Sequence, residues 1–162
     1  MKVTQADSQV SVKIEDALKN MLKGSVPIIS TSLLADLTSR DYDWVILDCR
    51  ELVEFETSHL LGAKWVGYSD FSLLRVSDIS KNAHVVVYCS IGVRSENIAE
   101  TLLASGFSNV RNLYGGIFAW ANEHKALFKH NQKPTLAVHG YDRKWATLLD
   151  SPTGISQKMD LS

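Results

Sequence analysis

The stretch VVVYCSIGVRS at residues 85–95 decides the fold, because it predicts a buried strand, a turn and the start of a helix. Residues 85–88 show no polar alternation, which is typical of a strand covered on both faces in a parallel α/β sheet. Proteins with such sheets place their chemistry at the carboxyl ends of the strands. Cys89 occupies that position and is therefore the first candidate for a functional residue.

The loop that follows Cys89 favours a negative charge on the cysteine sulfur. It contains no proline, so every residue keeps its backbone N–H group, and Gly92 can adopt the positive φ of a tightly curled turn. N–H groups that converge at a helix N-terminus attract an anion and would hold the pKa of Cys89 below its free value of about 8.5. Arg94 is unfavourably placed beside the positive end of a helix unless an anion lies nearby. A cysteine at a strand end is usually a small core residue, but Gly92 and Arg94 favour a reactive thiolate.

Length and composition allow one compact domain with a little chain left over. The chain has 162 residues, of which 45% are hydrophobic, and this is ample for one core. The 17 basic and 18 acidic residues are scattered, with a net charge of -1, and give no case for nucleic acid or a membrane as a partner. The first twenty residues lack the apolar core of a secretory signal, and no stretch approaches transmembrane length. Cys49 and Cys89 are too few for a disulfide scaffold and lack the spacing of metal ligands, so we expect no metal and a cytoplasmic location.

The chain repeats an order of strand and helix. Apolar runs predict strands at residues 28–29, 44–47, 63–66, 85–88 and 110–113. Helical patterns or loops separate these runs. Strands that alternate with helices imply a parallel sheet covered on both faces, with right-handed crossovers.

Two extensions flank this pattern. Residues 1–27 form an N-terminal extension with a predicted helix, residues 28–128 form the domain, and residues 129–162 form a C-terminal extension. In the last of these, residues 130–134 look like a linker, and residues 141–149 predict a short helix whose Trp and Leu side chains face inward. We expect the tail to pack against the domain. The alternative is a homo-oligomer contact through the extensions, because exposed Trp and Leu side chains would form an apolar patch.

Three groups of residues carry a family resemblance. They are Asp48, Arg50, Glu54, Phe55, His59, Gly62 and Ala63, then Cys89, Gly92, Arg94 and Ser95, and finally Leu113, Gly115, Gly116 and Trp120. In this order and spacing they resemble the D-x-R-x-x-x-E-[FY]-x-x-x-H-x-x-G-A, C-x-x-G-x-R-S and L-x-G-G-x-x-x-W motifs of the rhodanese family of single-domain sulfurtransferases. The resemblance covers about residues 28–128.

The resemblance implies a three-layer α/β fold, in which a five-stranded parallel sheet carries helices on both faces and the catalytic cysteine follows the fourth strand. It also implies transfer of sulfane sulfur. Cys89 as a thiolate would attack the outer sulfur of a donor such as thiosulfate, release sulfite and hold the sulfur as a persulfide. The acceptor would be cyanide, a small thiol or a protein cysteine, and no cofactor is implied.

The loop itself supplies the predicted site. We expect Cys89 and Arg94 to be catalytic, because the amide dipoles around the sulfur stabilise both the thiolate and the anionic persulfide. Arg94 either turns to the mouth and holds the donor's sulfonate, or locks the loop by bonding the loop's own carbonyl groups. The predicted substrate-binding residues are Ser90, Ile91, Gly92, Val93 and Ser95.

Residues of the first motif are expected to support the site. Arg50 either projects toward the loop or pairs with a nearby carboxylate, and we favour the pair. The candidate carboxylates belong to Asp48, Glu51 and Glu54. We expect His59 to be structural, because a thiolate with a lowered pKa needs little help from a base.

Cys49 follows the second strand, which should lie beside the fourth strand. It is either a buried replacement for valine or a second thiol that accepts sulfur from Cys89 or forms a disulfide with it. Because strand residues alternate between faces, the second role requires that both side chains share a face. We favour the buried replacement.

Two other functions share this type of loop. A cysteine phosphatase or arsenate reductase has the pattern H-C-x5-R, whereas four residues separate Cys89 from Arg94 and Tyr88 precedes the cysteine. The other alternative is a non-catalytic rhodanese-like interaction module. Such modules often lack the cysteine or the arginine, and this chain has both.

Overall fold

Five parallel strands form the centre of the computed structural model, which describes residues 10–40 and 43–150. The strands are β1 (Ile28–Ile29), β2 (Trp44–Asp48), β3 (Lys64–Trp65), β4 (His84–Tyr88) and β5 (Asn109–Leu113). Their order across the sheet is β1-β5-β4-β2-β3, and every pair is parallel. The predicted five-stranded parallel sheet is therefore confirmed.

Helices cover both faces of this sheet, as the sequence predicts. They are α1 (Val12–Lys19), α2 (Thr31–Ser39), α3 (Leu52–Thr57), α4 (Val93–Ala104), α5 (Gly116–Asn122) and α6 (Arg143–Ala146). Val86 and Tyr88 of β4 pack in one core with α1, α2 and α5, whereas Val85 and Val87 pack in a second core with α4. Because both sets of alternate side chains are apolar, β4 is stable only in the middle of a sheet that is covered twice.

The chain after α5 forms a hairpin, so the prediction of a linker at residues 130–134 is wrong. Strand β6 (Leu127–Lys129) pairs antiparallel with β7 (Lys133–Thr135), and a short 3₁₀ turn joins them. Backbone bonds of 2.7 and 2.9 Å between His59 and Phe128 attach the hairpin to the domain. The hairpin sequence shows no alternation of polar and apolar residues that would predict strands. The hairpin forms against the distant backbone of His59, which a local pattern does not reveal.

The described parts of both extensions pack on the same core. Ile14 and Leu18 of α1 are buried there, Leu149 joins them, and Trp145 lies partly buried against them. Lys13 links the two extensions directly, since its Nζ donates to the Thr147 carbonyl at 2.9 Å. The predicted extensions also include residues 1–9 and 151–162, which lie outside the described residues.

The division into residues 1–27, 28–128 and 129–162 stays a prediction. Strand β6 crosses the boundary drawn at residue 128, so the end of the domain is set by a paired hairpin rather than by a break in the chain. Within the described ranges, no helix is both long and apolar enough to cross a membrane.

Candidate active site

The sulfur of Cys89 lies where the loop after β4 and the first turn of α4 converge. The N–H groups of Gly92 and Ser95 donate to Cys89 Sγ at 3.2 and 3.4 Å, and the Ser95 hydroxyl lies 3.3 Å away. Gly92 has a φ of +125°, a conformation that strongly favours glycine. Cys89 is 1% exposed, and its sulfur faces the positive end of α4, which favours a negative charge there.

Helix α5 binds the carbonyl groups of the Cys89 loop, and the N–H groups of the loop are free to face the sulfur. The N–H of Ile117 donates to the Cys89 carbonyl at 3.0 Å, and the N–H of Phe118 donates to the Ser90 carbonyl at 3.0 Å. This approach leaves no room at Gly116, where an added Cβ would lie 2.5 Å from the Cys89 carbonyl oxygen. Gly116 of the third sequence motif therefore lets α5 approach the Cys89 loop directly.

Arg94 forms an ion pair with Glu54 of α3. Its two terminal nitrogens lie 2.8 and 2.9 Å from the carboxylate oxygens, and one of them also donates to the Ser90 hydroxyl at 2.9 Å. Burial by itself would raise the pKa of Glu54, but the hydrogen bonds and charge of Arg94 lower it below its usual value. The sequence leaves two roles open for Arg94, holding the donor's sulfonate or bonding the loop carbonyls, and the structure shows its terminal nitrogens on Glu54 and the Ser90 hydroxyl instead. A carboxylate is a stronger acceptor than a neutral carbonyl. Arg94 therefore locks the loop through Glu54 and a side chain of the loop.

Cys49 lies beside Cys89 on the neighbouring strand. The register pairs Asp48 with Tyr88, and the N–H of Cys49 donates to the Tyr88 carbonyl at 3.0 Å. Both cysteines belong to the same core, so their side chains share a face of the sheet. Both are free thiols with almost no exposed surface. A role for Cys49 in the chemistry of Cys89 requires that both side chains lie on the same face of the sheet. The structure meets this requirement.

The pKa values of the two thiols move in opposite directions. Burial raises the pKa of Cys49 well above its usual range, and its hydrogen bond to Cys89 raises the pKa further. Burial alone would also raise the pKa of Cys89, but the Cys49 hydrogen bond, the Arg94 charge and the Ser95 donors hold that pKa well below its ordinary value. These opposite shifts favour a protonated Cys49 beside an ionised Cys89.

Arg50 pairs with Asp48, the favoured of its two predicted roles. Its Nη2 lies 2.6 Å from Asp48 and also donates to the Ser58 carbonyl at 2.6 Å, and both charged side chains are fully buried. The Tyr88 hydroxyl adds a bond of 2.7 Å to the same Asp48 carboxylate. This cluster ties the ends of β2 and β4 to the segment after α3.

His59 connects α3 to the C-terminal hairpin. Its ring stacks on Phe55 with centroids 4.0 Å apart, and Nδ1 lies 3.0 Å from the Phe55 carbonyl. Its backbone pairs with Phe128 of β6. These contacts support a structural role for His59, which stays a prediction.

Asn112 of β5 belongs to the site and is missed by the sequence argument. Its Nδ2 donates to the Gly92 carbonyl at 2.9 Å, and its Oδ1 accepts from the Ser95 hydroxyl at 2.6 Å. Because a hydroxyl has one hydrogen, Ser95 donates either to this oxygen or to the Cys89 sulfur at a given moment. The sequence offers one indication, a polar residue within a predicted strand. Asn109 and Arg111 in the same strand are also polar, so Asn112 does not stand out.

A small cavity of about 120 Å³ opens at Cys89. Three of its lining residues come from the extensions and are also missed by the sequence argument. The lining residues are Met21, Cys89, Ser90, Ile91, Val93, Arg94, Tyr141 and Trp145.

Among the described residues, His, Cys, Asp and Glu side chains form no group of three that could hold a metal ion.

Comparison with known proteins agrees with this arrangement. The sequence model of the rhodanese-like domain family matches residues 30–123, which is more than half of the chain. The chain belongs to the rhodanese-like family. The matched segment includes the Cys89 loop and the residues of all three sequence motifs, whereas Met21, Tyr141 and Trp145 lie outside it.

Two curated relatives and one solved structure illustrate the likeness. The uncharacterized protein YqhL of Bacillus subtilis (strain 168) is 37% identical over 81 residues, 50% of this rhodanese-like chain and 64% of YqhL. A protein named sulfurtransferase from Allochromatium vinosum is 46% identical over 48 residues, 30% of this chain and 45% of the relative. The chain thus spans less than two thirds of either relative. The crystal structure of thiosulfate sulfurtransferase from Pseudomonas aeruginosa matches with a TM-score of 0.60 and 22% sequence identity. The match covers 76% of this chain and 23% of the Pseudomonas chain, and it shows that the fold is shared.

Proposed function

We propose that this rhodanese-like protein is a sulfurtransferase that carries sulfane sulfur on Cys89. The Cys89 thiolate attacks the outer sulfur of a donor such as thiosulfate, the sulfur–sulfur bond of the donor breaks, and sulfite leaves with the bonding electrons. The sulfur stays on Cys89 as a persulfide anion. An acceptor thiol or cyanide then attacks the outer sulfur and returns the electron pair to Cys89.

The observation that carries this proposal is the set of donors around a buried sulfur. The N–H groups of Gly92 and Ser95 point at Cys89 Sγ, and these dipoles are fixed by the bonds that α5 makes to the loop carbonyls. Fixed dipoles stabilise an anion without reorganising during the reaction. The donors serve the thiolate before transfer and the persulfide after it, and we assign Ser90, Ile91 and Val93 to the cavity wall that the substrates meet.

Arg94 supports sulfur transfer over phosphate chemistry. In the phosphatase alternative, the loop arginine would have to hold the oxygens of a dianionic oxyanion. Here both terminal nitrogens of Arg94 are already bonded to Glu54, and its side chain is only 15% exposed. The loop is thus arranged around a single sulfur atom, and Arg94 acts on Cys89 through its charge.

Intact mass spectrometry tests the proposal. The reduced protein is treated with thiosulfate or with inorganic polysulfide, and the expected result is a gain of one sulfur atom on Cys89 that cyanide removes as thiocyanate. The Cys89→Ser variant should gain no sulfur, and phenyl phosphate should not be hydrolysed. Failure of both sulfur sources to modify Cys89 would overturn the proposal, and release of phosphate would favour the phosphatase.

The chemistry also suggests the setting in which the protein works. Two free thiols, one of them ionised, persist only under reducing conditions, so we propose action in a reducing compartment such as the cytoplasm. The partners are a small sulfur donor and a thiol or cyanide acceptor, with a protein thiol as a further candidate. No cofactor takes part in these steps.

A further inference from the structure

The cavity at Cys89 is closed on one side by segments that lie outside the family match. Met21 follows α1, Tyr141 precedes α6, and Trp145 lies within α6. Together these three residues are called the extension wall. The remaining lining residues belong to the Cys89 loop and the first turn of α4, with Ile91 and Val93 as their apolar members.

Glu96 fixes the N-terminal part of the extension wall. It lies in the first turn of α4 and is 2% exposed. Its carboxylate accepts the N–H groups of Lys23, Gly24 and Ser25 at 2.9, 2.9 and 3.3 Å. Because these residues follow Met21 closely in the chain, the helix that begins at the Cys89 loop also holds Met21 in place.

Asn122 at the end of α5 fixes the C-terminal part. Its Nδ2 donates to the Leu148 carbonyl at 3.0 Å, and its Oδ1 accepts the N–H of Asp150 at 2.9 Å. Asp142 caps α6 by accepting the N–H of Trp145 at 2.8 Å. The extension wall is therefore anchored to α4 and α5, the two helices whose first turns shape the Cys89 loop.

The cavity offers no unpaired positive charge among its described lining residues. Arg94 is the single charged side chain in that set, and the Glu54 carboxylate already matches its charge. The ring of Tyr141 covers the guanidinium as well, with Cζ 4.8 Å from the ring centroid. A charged group of an acceptor that lay against the extension wall, away from the N–H donors of the loop, would lose its hydration without gaining a free cation. An alkyl group there would gain from contact with Met21 and Trp145.

We propose that this cavity admits a small, uncharged alkyl thiol as the sulfur acceptor, with Met21, Tyr141 and Trp145 as specificity-determining residues. The inference rests on the proposed transfer from Cys89 and names the class of acceptor. In the transfer, the acceptor sulfur bonds to the outer sulfur of the persulfide, and the bond from that sulfur to Cys89 Sγ breaks. The electron pair returns to Cys89 as a thiolate, and the proton of the acceptor thiol ends on the new persulfide.

Acceptors matched in length test the inference on protein loaded with sulfur from inorganic polysulfide. Propane-1-thiol and 3-mercaptopropionate have the same three-carbon arm, but the second ends in a carboxylate. Cyanide has no arm and reports the chemical step alone. We expect kcat/KM for propane-1-thiol to exceed that for 3-mercaptopropionate by about tenfold, because each buried methylene group contributes about fourfold and a buried carboxylate is penalised.

Variants of the extension wall distinguish the effect of its side chains from a general repulsion between the persulfide anion and the carboxylate of 3-mercaptopropionate. Trp145→Ala should lower kcat/KM for propane-1-thiol, mainly through KM, so that the ratio of kcat/KM for this thiol to kcat/KM for cyanide falls about tenfold. Met21→Lys adds a cation at the mouth and should reverse the preference in favour of 3-mercaptopropionate. Leu136→Ala, at an exposed site of the C-terminal extension away from the cavity, is the control and should change neither ratio.

The outcomes distinguish the two proposals. If cyanide removes the sulfur but the two three-carbon thiols react equally, or if neither wall variant changes their ratio, the inference about the acceptor is wrong and the sulfurtransferase proposal stands. If Cys89 never carries a sulfur atom that cyanide removes, the proposed function itself is wrong.

Discussion

Glu54 and Arg94, which are 40 positions apart in the chain, form a bidentate ion pair that joins α3 to the first turn of α4. Arg94 also donates to the Ser90 hydroxyl, so the pair holds the Cys89 loop through a side chain, whereas α5 holds it through the backbone. It leaves the donor N–H groups free to face Cys89. The charge of Arg94 thus acts on the sulfur without the arginine having to bind it.

Glu54→Gln should destabilise the protein, because it leaves the guanidinium of Arg94 largely buried and without its hydrogen-bonded carboxylate. Removing one partner of a buried pair typically costs about 3 kcal/mol of the free energy of unfolding. Urea denaturation at neutral pH measures this loss. Glu56→Gln, at an exposed position of the same helix, is the matched control and should change stability by less than about 0.5 kcal/mol. Equal stabilities of the two variants would contradict a structural role for the pair.

The contribution of Glu54 to stability should disappear in acid. The folded state lowers the pKa of Glu54, so the carboxylate stabilises the fold above its unfolded pKa, and this stability is lost as the pH falls through the folded pKa. The difference in unfolding free energy between the wild type and Glu54→Gln should therefore shrink between pH 6 and pH 3, values chosen about the ordinary glutamate pKa. A difference that stays constant over this range would show that the carboxylate charge is not its source.

Gly116→Ala should displace the Cys89 loop and reduce both stability and sulfur transfer. The new Cβ would meet the carbonyl groups of Cys89 and Ser90 at less than contact distance, in addition to the cost of a φ of +59°. Gly62→Ala is the control, since Gly62 has a φ of +75° but nothing within 4 Å of the added Cβ. We expect about 1 kcal/mol of destabilisation for the control and about 3 kcal/mol or more for Gly116→Ala. Persulfide formation on Cys89 should fall only in the latter.

The sequence was sufficient for the sheet because its information there is local. The unbroken apolar run of β4 needs two covered faces, and the change from Tyr88 to Cys89 marks the carboxyl end where the loop begins. Gly92 likewise has a local reason, since the turn into α4 requires its positive φ.

The parts that the sequence did not predict depend on distant contacts. Nothing within α4 shows that Arg94 pairs with Glu54 rather than with the loop carbonyls, because the choice depends on the placement of α3. The hairpin of β6 and β7 needs the backbone of His59, and the role of Trp145 needs the anchor at Asn122. Such pairings arise from packing and have no periodic signature in the chain.

Cys49→Val should raise the pKa of Cys89 toward that of an ordinary thiol. The variant keeps the volume of a buried side chain at this position but removes the S–H donor that stabilises the neighbouring thiolate. Alkylation of Cys89 by iodoacetamide, followed by peptide mass spectrometry as a function of pH, measures the thiolate directly. The wild type should react down to low pH and lose reactivity as the pH falls through the depressed pKa, whereas in Cys49→Val the loss should begin about one pH unit higher. Cys49→Ser retains a hydroxyl donor and should stay close to the wild type. If Cys49→Val and the wild type have the same pH profile, Cys49 is a replacement for valine in the core and has no part in the ionisation of Cys89.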